Sequence, residues 1–161
     1  MPDWRGLAAT GLGLGYSPFA PGTAGSGGAL ALAWMVAAYG GAQGGYALLA
    51  VAILLYLPGR SLAKWGEQEW GEDPGRFVLD EVVGYPLGAA IFWLAEASPP
   101  DVAELAALFV LFRAFDILKP WPVSRLEEIK GGDGVMLDDV AAGILAAVVL
   151  LLLPMLLPIQ F

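Results

Sequence analysis

The chain has 161 residues, enough for a single domain, and carries a formal net charge of −8; 58% of it is hydrophobic and only 15% charged. Soluble domains carry about 25% charged residues, so the depletion points to an integral membrane protein, with a greasy soluble helical bundle as the alternative. The acidic balance argues against nucleic acid as a partner, which demands a basic face; the absence of Cys and His excludes disulfides, thiolate nucleophiles and imidazole chemistry.

The opening "MPDWRGLAAT" lacks the basic region and sustained apolar stretch of a cleavable signal peptide. Next comes "GLGLGYSPFAPGTAGS", residues 11–26. Its glycines run GxGxG, Tyr16 stands where a GxGxxG fingerprint needs its third Gly, and no Gly-Lys-Ser/Thr follows. Both nucleotide motifs therefore fail. Gly22, Gly25 and the nearby prolines allow a sharp turn, and Thr23 and Ser26 can cap the helix that follows. A helix N-terminus approached through glycines suits phosphate, with Ser17, Gly22 and Thr23 as candidate contacts. The competing reading is an ordinary capped entry to an apolar helix.

Five apolar stretches follow, at about 25–40, 44–58, 82–95, 102–118 and 140–158. None alternates as a strand does, and all are rich in Ala, Leu and Val, so the pattern predicts an all-α, polytopic helical membrane protein with about five transmembrane helices. The abundant Gly and Ala within them suit close helix packing in lipid. Residues 59–79 read as the main polar loop, with a short interfacial helix stopped by "DPG" (73–75). Trp65, Trp70, Trp4 and Trp121 are expected at headgroup depth.

Arg5 precedes the first stretch; Arg60, Lys64 and Arg76 lie between the second and third; Arg113 and Lys119 sit at the end of the fourth, and Arg125 and Lys130 follow before the fifth. The turns "GGAQGG" and "EASPPD" contain no Lys or Arg. All eight basic residues thus fall on one side, which the positive-inside rule makes cytoplasmic. The N-terminus is then inside and "LPIQF" outside. On the same reading, the opening stretch, "LDEVVG" (79–84), "FRAFDILKPWP" (112–122) and "MLDDVAAG" (136–143) meet at the cytoplasmic face.

Asp80, Glu81, Asp138 and Asp139 form two adjacent acid pairs, each expected at the mouth of an apolar helix. One Asp per helix would serve as a cap; the second acid of each pair points about 100° away and must face something else. Clustered carboxylates without His or Cys suit a hard cation, Mg²⁺ first. Arg113, Asp116 and Lys119 stand at i, i+3 and i+6, and Pro120 and Pro122 end their helix. They read either as an ion pair with a snorkelling Lys, or as a further carboxylate for the metal with Arg113 and Lys119 holding phosphate.

Together, "GLGYSPFAPGTAGS", "DPGRFVLDEVVG", "FRAFDILKPWPV" and "GGDGVMLDDVAAGI" resemble the phosphatidylglycerophosphatase A family, in its order and over about residues 11–146. The resemblance implies an Mg²⁺-dependent enzyme of the bacterial inner membrane that dephosphorylates phosphatidylglycerophosphate to phosphatidylglycerol. It places the family's motifs on Pro21, Gly22 and Thr23; on Asp80 and Glu81; on Arg113, Asp116, Lys119 and Pro120; and on Asp138 and Asp139. Leu79 stands where the resemblance leads one to expect Trp in many relatives. The catalytic and metal-binding set implied is Asp80, Glu81, Asp116, Asp138 and Asp139. Direct attack by water is preferred to a phospho-aspartate, because the DxD spacing of aspartyl-phosphate phosphatases is missing. The alternative class is a small transporter or channel using clustered intramembrane carboxylates, which would spread its charges over several depths; a non-catalytic scaffold is the third.

Overall fold

A computed structural model describes residues 3–71 and 74–156, and over them the chain forms seven α-helices and no strand. They are α1 (Trp4–Ala9), α2 (Pro21–Tyr39), α3 (Gly44–Trp70), α4 (Leu79–Glu96), α5 (Val102–Leu118), α6 (Val123–Glu127) and α7 (Gly132–Leu156). Each of the five apolar stretches is helical over its described residues, and the short α1 and α6 are additions to the expected pattern. Two of the helices are long and apolar enough to cross a membrane: α3, with the turn that precedes it, and α7. The expected position of "LPIQF" lies outside the described residues.

Two elements depart from expectation. Residues 59–70 are not a loop; α3 continues through Pro58 as a single helix of 27 residues. Proline removes one backbone bond and crowds the preceding turn. However, Gly59, Leu62, Ala63 and Gly66 carry a buried stripe onward at helical spacing, and that packing overrides the break. The helix closes at Gly71, whose φ of +95° suits glycine and whose N–H donates to the Glu67 carbonyl at 3.1 Å. The expected stop at 73–75 includes Asp73, which lies outside the described residues.

The second departure is α7, which begins at Gly132 instead of near residue 140. Its glycine-rich first turns lie against α3: a Cβ at Gly59 would sit 2.6 Å from the Met136 Cε. "GGDGV" therefore folds as helix because tertiary contact supports it, although its glycines read locally as a turn.

At the centre is α4, packed on α7, α3, α2 and α5. Tyr85 is fully buried on it, stacks edge-on against Phe109 and Phe112, and donates its hydroxyl proton to the Leu105 carbonyl at 2.9 Å. α4 and α7 approach each other closely. A Cβ at Gly88 would lie 2.7 Å from the Gly143 carbonyl oxygen, and one at Gly84 would lie 3.0 Å from the Asp139 Cβ. Gly84 and Gly88 are one turn apart, so these small residues let two backbones touch. One turn before Gly84 stands Asp80, so the crossing brings the acids of α4 beside Asp139.

Candidate active site

A cavity of about 750 Å³ opens where the starts of α2 and α4, the end of α5, and the α6–α7 region meet. Asp80, Glu81, Asp116, Asp138 and Asp139 all line it, with Gly22 and Lys119. Asp80 and Glu81 occupy the first turn of α4, but Asp138 and Asp139 do not stand at a helix mouth. They lie nearly two turns inside α7, whose first-turn acid is Asp133, so they cannot be its caps. This corrects their expected placement, and it follows from the early start of α7.

One carboxylate oxygen from each of Asp80, Glu81 and Asp139 lies within 4.8 Å of the others. Glu81 Oε2 and Asp139 Oδ2 are buried and have no hydrogen-bond partner. Buried carboxylate oxygens without partners are costly, and a hard cation would satisfy them. Asp116 and Asp138 stand nearby but already hold cationic partners.

The Arg113 guanidinium donates to Asp116 Oδ2 at 2.5 Å, reaches Glu81 Oε1 at 3.6 Å and donates to Ser26 Oγ at 3.3 Å. It does not line the cavity, and its engagement with two carboxylates makes it a brace between α4 and α5. Ser26 does not cap α2; its hydroxyl donates to the Gly22 carbonyl at 2.9 Å, and the cap position is Ala20, which makes no side-chain cap bond. Pro21 and Gly22 are the members of the opening stretch that line the cavity, and a Cβ at Gly22 would lie 2.6 Å from Glu81 Oε1. Thr23 is exposed and Ser17 donates to the Phe19 carbonyl at 2.8 Å; neither lines the cavity.

Lys119 ends α5 with φ +45°, a left-handed conformation unusual for a residue with a side chain. Its ammonium donates to Glu127 at 2.6 Å and to Asp138 at 3.0 Å. Burial alone would lower its pKa, but the bonds to Glu127 and Asp138 outweigh this and hold it above the ordinary lysine value. The ammonium therefore stays charged across the physiological range. Glu127, Glu128, Glu67 and Lys130 also line the cavity and were not anticipated. The adjacent pair in "LEEIKGG" was the available signal, since it repeats the pattern of the two pairs already noticed.

Residues 7–154 match the phosphatidylglycerophosphatase A family. The chain belongs to this family. It is 33% identical to the phosphatidylglycerophosphatase A of Escherichia coli K12, over 89% of this chain and 80% of that protein. The Haemophilus influenzae protein of the same name is 36% identical, over 89% of this chain and 84% of the other. A Bacteroides thetaiotaomicron protein named "Putative phosphatidylinositol-3-phosphatase" is 43% identical, over 86% of each chain. No solved structure matches.

Proposed function

We propose that this chain hydrolyses the terminal phosphomonoester of phosphatidylglycerophosphate, giving phosphatidylglycerol and inorganic phosphate. The observation that carries this reading is the trio Asp80, Glu81 and Asp139, with two buried oxygens lacking partners, beside the Lys119 ammonium in one cavity. The donor set fits Mg²⁺, and Asp80, Glu81 and Asp139 would hold it. There Mg²⁺ would neutralise phosphate charge and polarise the phosphorus. Lys119 binds a phosphate oxygen as a compact point charge, and Arg113 fixes Glu81 and Asp116 in place. A carboxylate of the cavity orients the water for in-line attack on phosphorus, with the lipid alkoxide as leaving group.

The same proposal sets the enzyme in the bacterial plasma membrane with α2, α3, α4, α5 and α7 as five spans. All eight basic residues then fall at the site's end, which faces the cytoplasm. Large exposed apolar side chains on α2, α3, α5 and α7, among them Trp34, Ile53, Leu54, Val110 and Leu152, support a lipid-facing surface. Single cysteines at Arg76 and Ser98, both exposed, should label from opposite sides of the membrane. Labelling from the same side would overturn the five-span arrangement.

Phosphate release from phosphatidylglycerophosphate in detergent micelles, with Mg²⁺ and with chelator, tests the activity. Phosphatidylinositol 3-phosphate belongs in the same assay, because the Bacteroides relative's name carries that headgroup. Faster Mg²⁺-dependent release from phosphatidylglycerophosphate is expected; release from neither lipid would sink the reading.

A further inference from the structure

Eight carboxylates and two ammonium groups line the large cavity. A cation held by Asp80, Glu81 and Asp139 can serve one phosphate there. The proposed substrate carries two, since a phosphodiester joins its headgroup to the diacylglycerol. That second anion needs a different setting, and one adjoins the cavity. A groove of about 570 Å³ lies between α3 and the start of α7, lined by Leu57, Arg60, Lys64, Lys130 and Asp133 among others. It shares Lys130 and Gly131 with the carboxylate cavity.

The α3 face leading to this groove changes character along its length. Ile53, Leu57, Arg60 and Lys64 follow at i, i+4, i+7 and i+11, which places them on one side of the helix. Ile53, Leu54 and Leu57 are large, apolar and exposed. Arg60 is exposed and held by Asp133, whereas Lys64 and Lys130 are exposed and have no carboxylate partner among the described residues. An apolar strip ending in unpaired cations matches a phospholipid, whose acyl chains end in an anionic diester.

Resting on the phosphatase reading, we propose that this groove binds the phosphodiester arm of the diacyl lipid substrate. The acyl chains lie along Ile53, Leu54 and Leu57, the diester sits between Lys64 and Lys130, and the terminal phosphate crosses Lys130 into the carboxylate cavity. The groove thereby selects lipids that carry a diester in addition to the monoester being cleaved.

Lys64→Gln tests this most cleanly, because Lys64 is exposed and outside the carboxylate cavity. In micelles with Mg²⁺, KM for phosphatidylglycerophosphate should rise about fivefold with kcat unchanged, and Lys64→Arg should recover most of it. Phosphatidylglycerol keeps the diester arm, so it should inhibit the parent competitively, and its inhibition constant should rise in Lys64→Gln by a similar factor. Diacylglycerol at the same mole fraction sets the surface-dilution baseline. An unchanged KM in Lys64→Gln overturns the proposal. So does stimulation of the parent by added phosphatidylglycerol, which would make the groove a separate lipid site. Failure of the phosphatase reading looks different, because the parent would then release no phosphate at all.

Discussion

The carboxylate cavity and the basic groove share a wall at Lys130 and Gly131 yet treat charge in opposite ways. In the cavity, Glu81 and Asp139 are only 6% and 3% exposed, and each leaves an oxygen without a partner. In the groove, Lys64 and Lys130 stand in the open. A buried charge costs several kcal/mol unless something opposite compensates it, whereas an exposed ammonium is already solvated. The cavity therefore concentrates uncompensated negative charge, as the proposed cation site requires. The groove is one that offers modest attraction to any anion at the membrane surface.

If that contrast is right, removing charge from the two regions should give effects of very different size. Asp80→Asn and Asp139→Asn preserve shape and remove one negative charge from the trio. Each should lower Mg²⁺-dependent phosphate release by at least about a hundredfold, the scale of losing several kcal/mol of transition-state stabilisation. The parent's melting temperature in detergent should rise with Mg²⁺ by linkage, about 2.7 kcal/mol at a hundredfold excess over Kd, and the variants should lose most of that rise. Retained turnover with the parent's Mg²⁺ response would remove these acids from the active centre.

The next test breaks the geometry instead of the charge. Gly84→Val puts side-chain atoms where the Asp139 backbone passes, so α4 and α7 must separate. Overpacking of this kind costs about 1–3 kcal/mol and should show as a lower melting temperature. The acids stay in place chemically but move apart, so activity should fall alongside the Mg²⁺-induced stabilisation. Normal activity would mean that the crossing does not set the trio.

How much of this was legible in the sequence follows from which forces act locally. The five long helices could be read because each is an apolar run with no strand alternation. The meeting of four motif segments at one end followed from charge placement. The helix through Pro58 and the early start of α7 could not be read, because contact between Gly59 and Met136 decides both. The acid pairs could be found, but not which acids converge. That depends on how α4, α5 and α7 are rotated about their axes. The rotation gives Asp116 to Arg113 and Asp138 to Lys119, while Glu81 turns one oxygen toward Arg113 and still converges with Asp80 and Asp139. The spacing Gly84–Gly88, one turn after Asp80, was the clue to the crossing.

The smallest expected effects concern Lys119, a cation that stands inside the acidic region and is held by two of its acids. Lys119→Ala should raise KM by about tenfold, the loss of one charge-assisted contact to phosphate, and Lys119→Arg should recover only part because the guanidinium differs in reach. Its two present partners are unequal. Asp138 is buried, whereas the Glu127 side chain is 52% exposed, and exposed ion pairs contribute about 0–1 kcal/mol. On the proposed reading, Glu127 would compete only weakly with phosphate for the ammonium. Glu127→Gln should lower KM by no more than about fivefold, with kcat and melting temperature close to the parent's. A rise in KM would reverse the assignment: Glu127 would then aim Lys119 at the substrate, and the left-handed turn at Lys119 alone would not suffice to place it.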